Sequence, residues 1–199
     1  MLYEAIIAAL LIGWIFGGKI TRLADARINH TWLLAITGIT CIFRFINFYH
    51  PIVSGGTIYC CSTRALEFGP IMALTILNRH IPGAKLMFLG LLLNVLPMLL
   101  NGGEMPVSVS GVKLISGGVN SSELLNGDLR HIAINAHTKL PLLADIIPIN
   151  TRYMLRGVYS IGDFVTSFGG MLAIISIMRD KKVDAAKVEV VSAINSGDV

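Results

Sequence analysis

The sequence predicts an all-α integral membrane protein: five transmembrane helices, with an outer-face cap formed by the long loop between helices four and five. Three observations carry this expectation. Only 14% of the 199 residues are charged and 54% are hydrophobic, whereas a soluble domain carries about 25% charged residues. Apolar runs of about 20 residues, the length of a bilayer span, recur along the chain, and mean hydropathy is +0.70. The runs are continuous rather than alternating, which argues against a barrel.

The first expected span, residues 2–16, lacks a basic leader and a small-residue cleavage site, so it reads as retained rather than as a signal peptide. Gly17-Gly18 ends it, and Lys19, Arg22 and Arg27 follow. The second, 31–49, contains Arg44; the third, 57–77, contains Arg64, Glu67 and the breaker Gly69-Pro70. The fourth, 86–100, is interrupted by Asn94 and Pro97, and the fifth covers 160–178. Residues 1–178 thus form one membrane domain with a cap at about 101–159, and 179–199 form a charged cytoplasmic tail. Lys and Arg concentrate after spans one and three and in the tail. By the positive-inside rule this predicts a bacterial cytoplasmic membrane protein with its N-terminus outside and its C-terminus in the cytoplasm.

The stretch Asn101-Gly102-Gly103-Glu104-Met105-Pro106-Val107-Ser108 closes the most hydrophobic run. Its glycines permit backbone conformations closed to other residues, and Pro106 blocks helical continuation. Within the cap, Asn120-Ser121-Ser122-Glu123 reads as a helix start and Asn126-Gly127 as a turn. Leu140–Ile149 is apolar, framed by prolines and too short to span, which suits an interfacial or re-entrant piece.

Net charge is +4, but the basic residues flank apolar runs instead of forming a stripe, so no nucleic-acid partner is expected. Cys41, Cys60 and Cys61 have no metal-ligand spacing and read as small buried hydrophobes. Charges inside a membrane helix usually pair and face the bundle interior. Arg64 and Glu67 stand at i, i+3, and Arg44 reaches the same depth from the neighbouring helix. The cluster is either a structural ion pair or, with its surplus positive charge, an anion or headgroup site. Asn94 and Asn101 read as interhelical glue. Ser160-x-x-Asp163 suits a capped helix start. His137 with Asp145 could supply a base and its orienting acid, although the spacing does not demand it; His131 and His137 do not match a helical zinc pair, so no metal or cofactor is expected.

Three motifs together, Asn101 to Ser108, Leu142 to Pro148 and Ser160 to Asp163, with a His-Thr-x-Leu-Pro approach at His137 to Pro141, resemble an uncharacterised family of small multi-pass membrane proteins. That family is found mostly in Gram-positive bacteria and is catalogued as a domain of unknown function. The resemblance implies one recurrent design and brings no activity, substrate or cofactor.

These readings favour a non-enzymatic scaffold or accessory subunit whose outer cap binds a partner protein or membrane lipid. The alternative is binding of, or chemistry on, a lipid headgroup or isoprenoid-like molecule. Arg44, Arg64, Glu67, Asn101, Glu104, His137, Asp145 and Asp163 would line that site. A third reading is a small transporter working as an oligomer with itself.

Overall fold

The computed structural model describes residues 2–50, 52–53, 56–117, 131–151 and 156–180. Seven helices occur among them: α1 (Leu2–Ile15), the single turn α2 (Thr21–Ala24), α3 (Leu33–Tyr49), α4 (Thr57–Leu77), α5 (Ala84–Leu100), α6 (Val109–Ser116) and α7 (Ile161–Arg179). Four short strands interrupt them: β1 (Met105–Val107), β2 (His131–Ala133), β3 (Ile147–Ile149) and β4 (Gly157–Tyr159). The long helices lie in the spatial order α3, α4, α5, α7, α1, each packed against the next.

The five-span, all-α expectation is corrected here. Among the described residues only α7 is both long and apolar enough to cross a membrane. Helix α1 has 14 residues and α3 and α5 have 17 each; at about 1.5 Å per residue they reach roughly 21–26 Å, short of a hydrocarbon core of about 30 Å. Helix α4 has the length, 21 residues, but Arg64, Glu67 and other polar side chains lower its hydropathy. The chain is also not all-α. Strand β1 pairs in parallel with β2, and β3 pairs antiparallel with β4. Leu140–Ile149, expected to be interfacial or re-entrant, is a 3-10 turn (Pro141–Leu143) leading into β3, with Ala144 and Asp145 buried between. The helix start at Asn120 and the turn at Asn126 lie outside the described residues.

Helix α7 is anchored at both ends. At its start Ser160 Oγ accepts from Asp163 N (3.0 Å) and Asp163 Oδ2 accepts from Ser160 N (3.1 Å), a reciprocal cap. Asn94 of α5 joins it, donating to Asp163 Oδ1 (2.9 Å) and accepting from Ser160 Oγ (2.6 Å). At the other end the Met178 carbonyl, left without an intrahelical donor, accepts from Lys19 N (2.8 Å) and from the buried Arg22 guanidinium (2.9 Å).

Between these anchors α5 and α7 approach backbone to backbone. A Cβ at Gly90 would lie 2.7 Å from the Gly162 carbonyl, and one at Gly169 would lie 2.8 Å from the Gly83 carbonyl. Main chain cannot yield as a flexible side chain does. Gly90→Ala should therefore separate the two helices and destabilise the fold by about 1–3 kcal/mol. Gly170→Ala, where a Cβ meets nothing within 4 Å, should be close to neutral; thermal denaturation of the two variants under one set of conditions checks the contrast.

Candidate functional site

The site begins at β1. Its three residues, Met105, Pro106 and Val107, are all buried, and partners bind on both sides of them. On one side β2 runs in register, with Met105 opposite His131. On the other, Asp145 N donates to the Pro106 carbonyl (2.9 Å) and Ser108 N donates to the Asp145 carbonyl (2.8 Å). Two residues 14 positions apart are thereby fixed on either side of one strand. Their side chains meet, His131 Nε2 to Asp145 Oδ2, at 3.1 Å.

The turn before β1 docks against α4. Gly103 takes φ +89°, in the left-handed region, and a Cβ there would lie 2.6 Å from Cys61 N. That close approach brings the Gly103 carbonyl to Arg64 Nε, which donates to it at 2.8 Å. Arg64 Nη1 also donates to Glu67 Oε2 (2.8 Å), and Arg44 Nε stands 3.3 Å from Glu67 Oε1. Each carboxylate oxygen thus faces one guanidinium. Thr63 Oγ1 accepts from Arg44 Nη1 (2.6 Å) and passes its own proton to the Tyr59 carbonyl (2.9 Å). Arg44, Thr63, Arg64 and Glu67 are all buried.

Both constructions open into one cavity of about 740 Å³. Arg44, Arg64 and Glu67 contribute from α3 and α4; His131, Asp145, Tyr159 and Asp163 contribute from the cap and the start of α7. Ile42, Phe45, Phe68, Ile71, Met98, Met105 and Val158 make the apolar remainder of the wall.

Of the eight residues expected to line a site, Arg44, Arg64, Glu67, Asp145 and Asp163 line this cavity. Asn101, Glu104 and His137 do not. The Asn101 amide clamps the cap to the end of α5, donating to the Pro97 (2.7 Å) and Lys139 (2.9 Å) carbonyls and accepting from Lys139 N (2.9 Å). His137 is exposed, its backbone N–H turned to Asn135 Oδ1, so Asp145 has His131 as its imidazole partner instead. Sequence reasoning missed Tyr159, and it weighed His131 with His137 as a metal pair without placing it among the residues expected to line a site. The signal for its pairing with Asp145 is its place in a short β-prone His-Ile-Ala run, which spacing arguments built on helices pass over. The cysteines are corrected too: none is buried, and Cys41 donates its thiol proton to Glu67 Oε1 at 3.6 Å.

A family model described as a family of unknown function, DUF5317, matches residues 25–175. The chain belongs to the DUF5317 family. Every residue lining the cavity lies within the matched stretch, as do the three motifs whose resemblance implies a family of unknown function. A Thermotoga maritima protein described as uncharacterized is 36% identical over 104 residues, covering 52% of this chain and 57% of its own length. The match thus spans little more than half of that relative. No solved structure matches this DUF5317 chain.

Two predictions follow from the charges. Removing Glu67 takes away a carboxylate that both buried guanidiniums contact, whereas removing Arg64 leaves the Arg44–Glu67 contact in place. Glu67→Gln should therefore cost more than Arg64→Met, with about 3–5 kcal/mol expected for breaking a buried ion pair; chemical denaturation of both variants ranks them. Burial, then the Glu4 and Asp163 carboxylates, push the Tyr159 phenol above the ordinary tyrosine range. The folded chain then holds that proton more tightly than the unfolded chain. The stability it contributes is full below pH about 10 and is lost as pH rises through the folded value. Unfolding free energy should fall with alkaline pH in the wild type, and less so in Tyr159→Phe.

Proposed function

We propose that the protein is a membrane-associated, non-enzymatic binding protein for an amphiphilic molecule with an acidic head. One observation carries the reading: the buried guanidiniums of Arg44 and Arg64, both in contact with Glu67, stand on the wall of a cavity otherwise lined largely by apolar side chains. Ligand sites with this make-up hold an apolar body and orient it through a few fixed polar groups. Guanidiniums suit carboxylate or phosphate oxygens because their donors are planar and permanently charged.

The membrane location is supported by α7, whose apolar window is only 22% buried; the core helix of a water-soluble domain would be mostly covered. Exposed Trp14, Ile15 and Phe16 at the end of α1, and exposed Ile39, Ile42 and Phe45 on α3, add apolar surface of the same kind.

The test is native mass spectrometry of protein extracted gently from its own membrane. The wild type should retain an acidic amphiphile. Arg44→Gln and Arg64→Gln, each checked for folding by circular dichroism, should lose it or bind at least about tenfold more weakly. Unchanged retention in both folded variants would sink the reading. A second reading, a scaffold for another membrane protein, draws on the exposed aromatic run Phe43, Phe45, Phe48 and Tyr49 along α3. A stoichiometric protein partner recovered with no amphiphile would decide for that reading.

A further inference from the structure

A second cavity, of about 280 Å³, is lined from α1, α4, α5 and α7 and shares no residue with the first. We propose that this groove holds the single hydrocarbon chain of a fatty acid of about twelve carbons, with the carboxylate outside it among Arg27, Arg79 and Lys85. It is a further site, and it stands independently of the reading given to the first cavity.

The floor of the groove is one stripe of α7. Ser167, Gly170, Met171, Ile174 and Ile177 recur at spacings of three and four and so share a face. From Ser167 to Ile177 that stripe rises about 15 Å. Ala5 and Ile6 of α1, Leu74 of α4 and Met87 of α5 add apolar wall. Two of the three polar residues lining it have their side-chain hydrogen bonds made within the protein. The Asn78 amide accepts from Asn29 N (2.8 Å) and donates to the Asn29 (3.0 Å) and Leu74 (2.9 Å) carbonyls, and Thr75 Oγ1 donates to the Met72 carbonyl (2.7 Å). Space so lined favours hydrocarbon over water. An apolar cavity of about 150 Å³ takes a six-carbon ring, so this one has room for roughly eleven or twelve carbons. An extended chain advances about 1.2 Å per bond, and that many carbons reach about 14 Å. Volume and length agree on one extended chain.

The residues beside one end of the groove select the head. Ile28, Asn78 and Ala84 line it where the helices connect, and each is next in sequence to an exposed basic residue: Arg27, Arg79 and Lys85. The two-way bond between Asn29 and Asn78 holds the α2–α3 connection against the end of α4, and with it Arg27 near Arg79. Ile81 N donates to the Asn78 carbonyl (2.9 Å) and Ala84 N to the Ile81 carbonyl (3.1 Å), so two tight turns carry the chain from Arg79 to Lys85. Exposed cations beside an apolar groove match a carboxylate on an alkyl chain. Room for one chain leaves none for the second chain of a phospholipid, which favours the free fatty acid.

The experiment is photolabelling of the full chain in digitonin, a neutral detergent whose fused-ring tail is too broad for a one-chain groove. The probe is dodecanoic acid with a diazirine near its terminal methyl, at about pH 8, where a carboxylic acid is ionised. Peptide mass spectrometry should place the label on α7 between Ser167 and Met171 and on α1 at Ala5 and Ile6. A Cβ at Gly170 meets nothing within 4 Å, so Gly170→Leu puts a side chain into the groove and should cut that label at least about tenfold. Dodecanol with the same diazirine should label at least about tenfold more weakly than the acid, and the gap should close when Arg27, Arg79 and Lys85 are all changed to Gln. Should Gly170→Leu fail to fold, competition in the wild type decides: unlabelled dodecanoic acid should suppress the label, and a label that persists would overturn the site. Undiminished label in folded Gly170→Leu would overturn it as well, and equal labelling by dodecanol would overturn the carboxylate head. An unlabelled groove would overturn the inference outright; a dimer found with it would give the groove to a second copy of the chain.

Discussion

Buried charge must be compensated, and the fold around Glu67 is the answer this chain gives. Taking a carboxylate and two guanidiniums out of water costs several kcal/mol per ion, repaid only by good geometry and further hydrogen bonds. That repayment recruits distant parts of the chain. Arg44 brings α3 to α4, Thr63 holds the second end of its guanidinium, and Arg64 reaches the Gly103 carbonyl in the turn after α5. Gly103 can supply that carbonyl only because it lacks a Cβ and accepts a positive φ. The turn so fixed sets where β1 starts, and β1 in turn sets His131 and Asp145. The contacts of a single carboxylate thus connect, through Arg64 and the Gly103 turn, to the strand that carries the cap side of the cavity.

Some of this is legible in the sequence because it is local. Hydrophobic stretches locate the long helices, and Ser160-x-x-Asp163 identifies a cap whose partners lie three residues apart. The meeting of Arg44 with Glu67 follows from two adjacent helices joined by a short connection. What failed has a physical cause as well. Counting apolar residues does not separate a bilayer-length helix from a 14- or 17-residue one, since the same composition serves both. The three-residue strands carry almost no periodic signal, so β1 and β2 read as loop. His131 and Asp145 are joined through main-chain pairing across a third segment, and no spacing rule reaches that. His137, nearer to Asp145 in sequence, was the natural but wrong partner.

The polar residues at Asn94, Asn101 and Asn47 show how one residue type is used for different ends. Asn94 ties α5 to the start of α7. Asn101 ties the same helix to the cap. Asn47 accepts from Ile52 N and Val53 N (2.9 and 2.8 Å), closing the connection out of α3. Each amide both donates and accepts, so each satisfies backbone or side-chain groups that an apolar residue would leave unpaired. Interhelical glue is the right reading for Asn94, whereas Asn101 ties its helix to the cap and not to another helix.

The two halves of the site rest on different physics. The α5–α7 side is held by close backbone packing at Gly83, Gly90, Gly162 and Gly169, which is short-ranged and indifferent to charge. The α3–α4 side is held by ions, Arg44 and Arg64 against Glu67, whose contacts depend on charge. Packing at the seam can therefore be weakened without touching the ion cluster, while charge changes at the cluster leave the seam intact. Glu67 is the exception: it contacts both guanidiniums, and so joins α3 to α4 and, through Arg64, α4 to the turn after α5. A change of charge at that one side chain therefore also changes how the cavity wall packs, which no substitution in the glycine seam does.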